Sequence, residues 1–390
     1  MARSTRARSG IRISRRSERR SGCRLEARFD IVVIGAGPAG AAAALEARRL
    51  GLGSVLLLER SSWPRSKPCG GGISPKARIS LSEMGLWPRV SARAYPICGL
   101  RLVSPNGREV VFSGAETASV LNRAELDAML VDAALEAGAA FEHGARVTDL
   151  VMDGARAAGV RVDGREINAR WVVAADGSRG RFGNDDRPRT ALVTAIATYE
   201  GASFSPNIVE MIYDPEIAPH YGWLFPESAS RVNIGICVGT NNLRSRSVRE
   251  LFDSFVERHY RRRLAGAAPV GGVQGQPIVT CASIAHRATE GVLLAGEAAR
   301  LSNRATGEGI SYALISGRLA ARAIALGIRK RASAREVART YGRSLQWDIG
   351  PGLCAADLFC RHGTGLLNVV AALGSTPLAR RLSGRALARL

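Results

Sequence analysis

Lysine is nearly missing from this 390-residue chain: it occurs only at Lys67, Lys76 and Lys330, so the formal charge of +21 is almost entirely arginine. Arginine together with abundant alanine is what a GC-rich genome produces, which weakens the charge as a sign of nucleic-acid binding. Aromatics make up only 5% of the chain and do not interleave with the basic residues as in a recognisable nucleic-acid module. No specific nucleic-acid partner is expected, although a basic surface does favour an anionic membrane or a phosphorylated substrate. Long apolar runs are also absent, and nothing reaches the roughly twenty residues of a spanning helix. Residues 352–372 approach that length but are interrupted by Asp357, Arg361 and His362. They are the expected place for amphipathic, peripheral membrane contact. The seven cysteines (23, 69, 98, 237, 281, 354, 360) show neither a paired framework nor metal-ligand spacing, and the five histidines (143, 220, 259, 286, 362) are scattered. A disulfide scaffold and a metal centre are therefore not expected, and the chain reads as reduced and cytoplasmic.

What is present is a globular composition, 46% hydrophobic, with length enough for two units with cores of their own. Residues 1–28 differ from the rest. They are rich in Arg and Ser and carry only Glu18 and Glu26 as acids. That is the composition of a transit peptide or of translation from an upstream start, and the second reading is preferred; a disordered leader is expected. Beyond it, 29–34 is an apolar, β-branched run, followed by Gly35-Ala36-Gly37-Pro38-Ala39-Gly40, an alanine-rich helical stretch to about Leu50, and a second apolar run, 54–58, closed by Glu59. A strand–turn–helix–strand unit of this kind gives a GxGxxG pattern its meaning. Gly35 permits the tight turn, Gly37 lets a pyrophosphate approach the backbone, Gly40 lets the helix pack on the strand, and the helix N-terminus faces the phosphates. Glu59 is placed to hold ribose hydroxyls.

Residues 68–76 read Pro-Cys-Gly-Gly-Gly-Ile-Ser-Pro-Lys. Three glycines beside Cys69 leave so little bulk that the backbone can lie against a planar group, with the thiol touching whatever the backbone touches. Further along, 101–112 reads as a hairpin turning at Asn106-Gly107. The stretch 122–138 reads as a helix capped by Asn122, with Leu126, Met129, Leu130 and Leu135 as its apolar face. Short strands alternate over 141–173 and end in Ala174-Ala175-Asp176-Gly177. A larger antiparallel sheet is expected over 191–240 and a helix over about 246–264. A buried strand at 292–295 meets Gly296-Glu297, and a glycine-rich loop then opens a helix at about Gly309. The tail from 331 reads as helical and basic.

Three stretches match in order, 35–40, 174–177 and 296–309, and that order resembles the FAD-dependent oxidoreductases of the para-hydroxybenzoate hydroxylase fold. Within that superfamily, Pro64…Cys69-Gly70-Gly71-Gly72-Ile73-Ser74-Pro75 and Tyr221-Gly222-Trp223-Leu224-Phe225-Pro226, which matches a YxWxFP motif, look like the geranylgeranyl reductase family. The resemblance covers about residues 29–330. It implies a mixed α/β (α+β) chain: a discontinuous Rossmann-type FAD-binding domain (29–94, 115–190, 281–330), interleaved with an antiparallel-sheet substrate domain (95–114, 191–280) and followed by a helical C-terminal region (331–390).

The same resemblance implies that Gly35, Gly37, Ala39 and Gly40 cradle FAD, with Glu59 and Arg60 at the adenosine ribose and Arg123 at the phosphates. Cys69, Gly70 and Gly71 would lie against the flavin, and Asp176, Gly177, Gly296, Glu297, Gly307, Gly309 and Ile310 would complete the cofactor set. Gly72, Tyr221, Trp223 and Phe225 would line an apolar substrate tunnel, with Cys69, Tyr221 and Trp223 the candidate catalytic residues. Glu297 stands where the family usually has Asp. Asn303-Arg304-Ala305 replaces a Pro-containing stretch, which is expected to bring Arg304 to the flavin edge.

The implied reaction saturates a polyprenyl double bond by protonation and hydride delivery from reduced FAD. Tyr221, Cys69 and water are open as the proton source, and NADPH or a reduced protein carrier as the electron source, because only one dinucleotide fingerprint exists. The substrate partner is an isoprenoid lipid, and a monomer is the working expectation. Two other readings stand beside this one: a monooxygenase of the same fold using NADPH and oxygen, and a paralogue that holds flavin or lipid without turnover.

Overall fold

The structure, a computed structural model, describes residues 28–183, 190–243, 246–280, 284 and 288–374. The basic leader to residue 27, Cys23, Cys281, His286 and the tail from 375 lie outside the described residues. In chain order the elements are β1 (Arg28–Ile34), α1 (Pro38–Arg49), β2 (Val55–Glu59), β3 (Gly72–Ile73), α2 (Pro75–Glu83), α3 (Trp87–Ser91), β4 (Tyr95–Val103), β5 (Glu109–Val120), α4 (Arg123–Glu136), β6 (Ala140–His143), β7 (Val147–Asp153), β8 (Arg156–Val162), β9 (Arg165–Ala174), β10 (Thr190–Glu200), β11 (Ile208–Ile212), β12 (Gly222–Pro226), β13 (Arg231–Gly239), α5 (Val248–Tyr260), β14 (Ala268–Thr280), β15 (Ala288–Thr289), β16 (Val292–Leu294), α6 (Ile310–Lys330), α7 (Ala334–Asp348) and α8 (Gly350–Gly374). The chain is a mixed α/β protein built on two sheets.

The first sheet runs β15-β16-β9-β1-β2-β6, with β8 and β7 continuing from β9. Its centre is parallel: β1 lies between β2 and β9, and β16 follows on β9. A parallel sheet covered on both faces needs continuous apolar strands, and Ile31 to Ile34 are all buried accordingly. Gly35 ends β1 at φ +96, where a Cβ would lie 2.5 Å from the Ala175 carbonyl oxygen; only glycine fits. A Cβ on Gly40 would strike the Gly35 oxygen at 1.8 Å, and one on Gly317 the Ala39 oxygen at 2.1 Å. The alanine-rich α1 is thus pressed between the turn below it and α6 above.

The second sheet runs β14-β10-β13-β12-β11-β4-β5-β3. It includes Gly72–Ile73 and the whole of Glu109–Val120, reaching beyond the 95–114 and 191–280 segments. It is antiparallel except that β11 runs parallel to β4. The β4–β5 hairpin arrives from a separate excursion of the chain, so no tight turn dictates its direction against β11. Side chains alternate between faces along each strand. Leu224, Ile234 and Ile236 pack with Leu251, Phe252 and Phe255 of α5. Tyr213, Tyr221, Trp223 and Cys237 face the other way and share a cluster with Leu367 and Ala371 of α8.

Helix α4 begins as expected, with Asn122 Oδ1 accepting the Glu125 N–H at 3.0 Å. Its buried face is Leu126, Asp127, Leu130, Val131, Ala133 and Ala134; Met129 is half-buried. Leu135, expected on that face, is exposed. It sits nine residues after Leu126, about 180° around the helix at 100° per residue.

Candidate active site

The turn after β1 opens into a cavity of about 780 Å³ between the two sheets. Gly37 is the N-cap of α1 and offers no side chain, so the first N–H groups of the helix have no side-chain cap. An ideal Cβ on Gly37 would lie 3.6 Å from Arg65 Nη2 and 3.7 Å from Arg123 Nη2. Two guanidinium groups therefore reach over this turn. Both are anchored on Asp127, which is fully buried. Arg123 grips it through two donors at 2.8 Å, and Arg65 Nη1 adds a third at 3.0 Å. Burial would lower the Arg123 pKa, but the Asp127 charge and its hydrogen bonds outweigh that and hold the guanidinium above its ordinary range. Arg65 Nε donates to Glu59 Oε2 at 3.1 Å, and the Ala36 and Ser61 N–H groups donate to the same carboxylate at 3.2 and 3.0 Å. Burial would raise the Glu59 pKa, but the Arg65 charge and these N–H groups outweigh it and hold the carboxyl below its usual range.

Beyond β9, Asp176 Oδ2 accepts the Arg181 N–H at 2.6 Å, while Oδ1 is buried with no hydrogen-bond partner. Burial pushes this carboxyl up. Beside it, after the neighbouring strand β16, Lys67 Nζ donates to Glu297 Oε2 at 3.2 Å. Gly307 adopts φ +66, and Gly309 caps α6 without a side chain. An uncapped helix start under two guanidinium groups, an acid closing β2, an orphaned carboxylate oxygen and a second uncapped helix form a donor and acceptor set that fits a flavin dinucleotide.

The other end of the cavity is apolar. Gly71 sits at φ +73, where a Cβ would meet the Leu121 carbonyl oxygen at 2.6 Å. A Cβ on Gly70 would lie 3.0 Å from Trp223 Nε1 and from Phe225, and one on Gly72 3.2 Å from Phe225. The cysteine–glycine loop thus rests its bare backbone directly on two aromatic rings. Ring centroids step from Tyr213 to Tyr221 (5.6 Å), to Trp223 (6.2 Å), to Phe225 (6.1 Å). Tyr221 Oη donates to the Thr306 carbonyl at 2.5 Å, which ties β12 to the glycine-rich loop before α6. Burial drives the Tyr221 pKa far above that of a free phenol.

The cavity brings together Gly35, Gly37, Ala39, Glu59, Arg60, Cys69, Gly70, Gly71, Gly72, Arg123, Asp176, Gly177, Glu297, Gly307, Gly309, Ile310, Tyr221, Trp223 and Phe225. Gly40 and Gly296 stand behind the wall. Gly40 is covered by the Gly35 backbone, and a Cβ on Gly296 would approach Ala39 Cβ to 2.9 Å. Arg304, expected at the flavin edge, turns away and pairs with Asp357 of α8. An acid one helix turn before Arg361, itself paired with that arginine at 2.8 Å, draws it there. Sequence reading missed Arg65, Lys67 and Asp127, together with the contact of Ser74 on Glu308. Asp127 follows Arg123 by four residues on a helix, a spacing that brings opposite charges together and was available as a signal.

A family profile described as an FAD binding domain matches residues 28–344. The chain is 34% identical over 303 residues to a protein of Methanopyrus kandleri named digeranylgeranylglycerophospholipid reductase 1, covering 75% of this chain and 79% of that one. It is 32% identical over 354 residues to a menaquinone reductase of Mycobacterium tuberculosis, covering 84% and 82%. Among solved structures, a geranylgeranyl bacteriochlorophyll reductase-like protein of Thermoplasma acidophilum superposes with a TM-score of 0.79 at 20% identity, over 92% of this chain and 96% of that one. A flavin-dependent brominase superposes at 0.75 with 21% identity over 93% of each chain. The last two show a shared fold.

Proposed function

The chain belongs to the FAD-binding-domain family, as a geranylgeranyl reductase-like FAD-dependent oxidoreductase, and from that premise we propose that it saturates carbon–carbon double bonds of a geranylgeranyl or related polyprenyl chain. The observation that carries this reading is continuity: one cavity joins the charged turn at Gly37 to the aromatic row of Tyr221, Trp223 and Phe225, passing the Cys69 thiol on the way. The names of the relatives, two of them reductases of prenyl-bearing lipids, support it.

In this reading the first sheet holds the cofactor and the second holds the substrate. Glu59 and Arg60 bind the adenosine ribose, and Arg123, with Arg65, neutralises the pyrophosphate over the α1 N-terminus. Asp176 and Glu297 accept hydroxyl hydrogen bonds of the linking chain. Bound and reduced, FAD supplies the hydride equivalent; NADPH or a reduced protein carrier recharges it. Tyr221, Trp223 and Phe225 exclude water and hold the alkene, which must sit within about 3–3.5 Å of the hydride source. Tyr221 commits its proton to the Thr306 carbonyl, so its role is to fix the wall; Cys69 Sγ–H gives its proton to the less substituted alkene carbon, positive charge develops at the tertiary carbon that takes the hydride, and the thiolate is reprotonated from water. The lipid is taken from a membrane surface on which α8 rests, because its outer stripe exposes Pro351, Cys354, Leu358 and Val369 beside Arg361, with Trp347 next to its start. Among the described residues no helix is long and apolar enough to cross a membrane.

The test is anaerobic reduction of the FAD-loaded protein followed by addition of a geranylgeranyl compound. Flavin reoxidation should be faster with the compound than without any acceptor, and the product should be heavier by multiples of two hydrogens. An oxygenated product formed only in air would establish the monooxygenase reading instead.

A further inference from the structure

On β13, Asn233 and Gly235 point to the same side of the sheet, and they pair across β12 with Phe225 and Trp223. A Cβ on Gly235 would come within 2.3 Å of Trp223 Cζ2, so this strand leaves room for the indole to lie flat upon it. Asn233 is 3% exposed, and its amide is fully engaged. Its Oδ1 accepts the Trp223 Nε1–H at 2.9 Å, and its Nδ2 donates to the Cys69 carbonyl at 3.3 Å and to Glu227 Oε1 at 3.4 Å. One side chain therefore touches both the aromatic wall and the loop that carries the thiol. An amide is the group for this place: it needs an acceptor toward the indole and a donor toward a carbonyl at once. A carboxylate would keep the first bond and lose the second, and an aliphatic side chain would lose both.

We propose that Asn233 is a positioning residue that locks Trp223 to the Cys69 loop and so fixes the gap between the thiol and the alkene. The consequence for catalysis rests on the reductase reading; the consequence for the loop does not. Asn233→Leu keeps the branched shape, with added bulk, and releases both the indole and the loop; Asn233→Asp keeps the indole bond, releases the loop and sets its carboxyl against Glu227 Oε1.

Two measurements on the full-length protein test this. The first is alkylation of each thiol by iodoacetamide, followed peptide by peptide, with exposed Cys354 as the internal control. A freed loop makes Cys69 react faster, by about tenfold in Asn233→Leu and by a smaller factor in Asn233→Asp, with Cys354 unchanged and buried Cys237 still protected; a general loss of structure would make Cys237 react as well. The second is steady-state reduction of a geranylgeranyl compound by FAD-loaded protein. Loss of alignment lowers kcat by about tenfold and leaves KM within about twofold. If Asn233→Leu does not fold, Asn233→Asp decides both points. Cys69 alkylation and kcat within twofold of the parent in a folded variant would overturn the proposal. Should the parent itself leave prenyl compounds untouched, the reductase reading fails, while the alkylation rates still decide whether Asn233 holds the loop.

Discussion

At the Gly37 end of the cavity, Glu59, Arg65, Arg123 and Asp127 lock into one another through charge-assisted hydrogen bonds of about 3 Å. At the Trp223 end, about 6 Å separates neighbouring rings, and the polar atoms that remain are each tied to a single partner or node. The charged end is a set of directional contacts that fail one at a time and abruptly. The apolar end is a packed surface in which shape does the selecting and loss is graded. A dinucleotide with fixed phosphates and hydroxyls suits the first kind of wall, and a featureless hydrocarbon chain suits the second.

Substitutions at the two ends should therefore separate binding from turnover. The largest effect is expected for Gly37→Val. The Cβ it adds lies at ordinary contact distance from Arg65 and Arg123, and Gly37 has an extended backbone that any residue adopts, so the fold should survive while the approach of the pyrophosphate is blocked. Flavin absorbance after reconstitution should show affinity lower by at least about hundredfold. Normal flavin content would break the assignment of this end.

Asp127→Asn comes next. It leaves buried Arg123 without its countercharge and Arg65 with Glu59 alone, at a cost of about 3–5 kcal/mol in denaturant unfolding, with weaker flavin retention as the arginines lose their orientation. Trp223→Ala, at the other end, should cost about 3 kcal/mol and depress turnover by opening the wall, with flavin still bound; flavin loss here would show that the two ends are not separable. Cys69→Ser should keep flavin and lower alkene reduction about tenfold, or 1.4 kcal/mol in the barrier, read by product mass over time.

The smallest effect concerns His220, which burial and the neighbouring Arg304 hold down to about 4 from 6.5. The unfolded chain takes up this proton more readily than the folded one, so stability falls as pH drops from about 6.5 toward 4. Unfolding midpoints of His220→Gln should lose this slope, on the order of 1 kcal/mol at pH 5.

The first sheet was legible in the sequence because its strands are buried on both faces and its turns are enforced by glycine: 29–34, 54–58 and 292–295 all became strands within a residue or so. The second sheet was legible as a sheet but not in its direction, since hydrophobic alternation reports which side is buried and not which neighbour is met; the parallel β4–β11 pair is the result. Leu135 went astray by counting apolar residues without following the helix around. At the site, residues inside contiguous motifs came together in one cavity. Arg65 and Lys67 were missed because an isolated charge in a sequence looks like any solvated surface residue until a partner is brought beside it from 62 or 230 positions away; Asp127, four residues after Arg123, did carry a local signal. Arg304 erred the other way: its place in the chain is next to the glycine-rich loop, but Asp357, 53 residues on, decides where it points.

Strand β13 answers to two masters, and that shapes how this protein can change over generations. Val232, Ile234, Ile236 and Val238 belong to the core shared with α5, where another aliphatic of similar size is an acceptable exchange. Asn233 and Gly235, interleaved among them, admit almost no substitute, one for its hydrogen bonds and the other for its missing Cβ. A scan of every amino acid through 232–236 should then show aliphatic exchange accepted at 232, 234 and 236 and refused at 233 and 235, and a change of substrate should find its variation on the walls opposite this strand, leaving the pair 233 and 235 untouched.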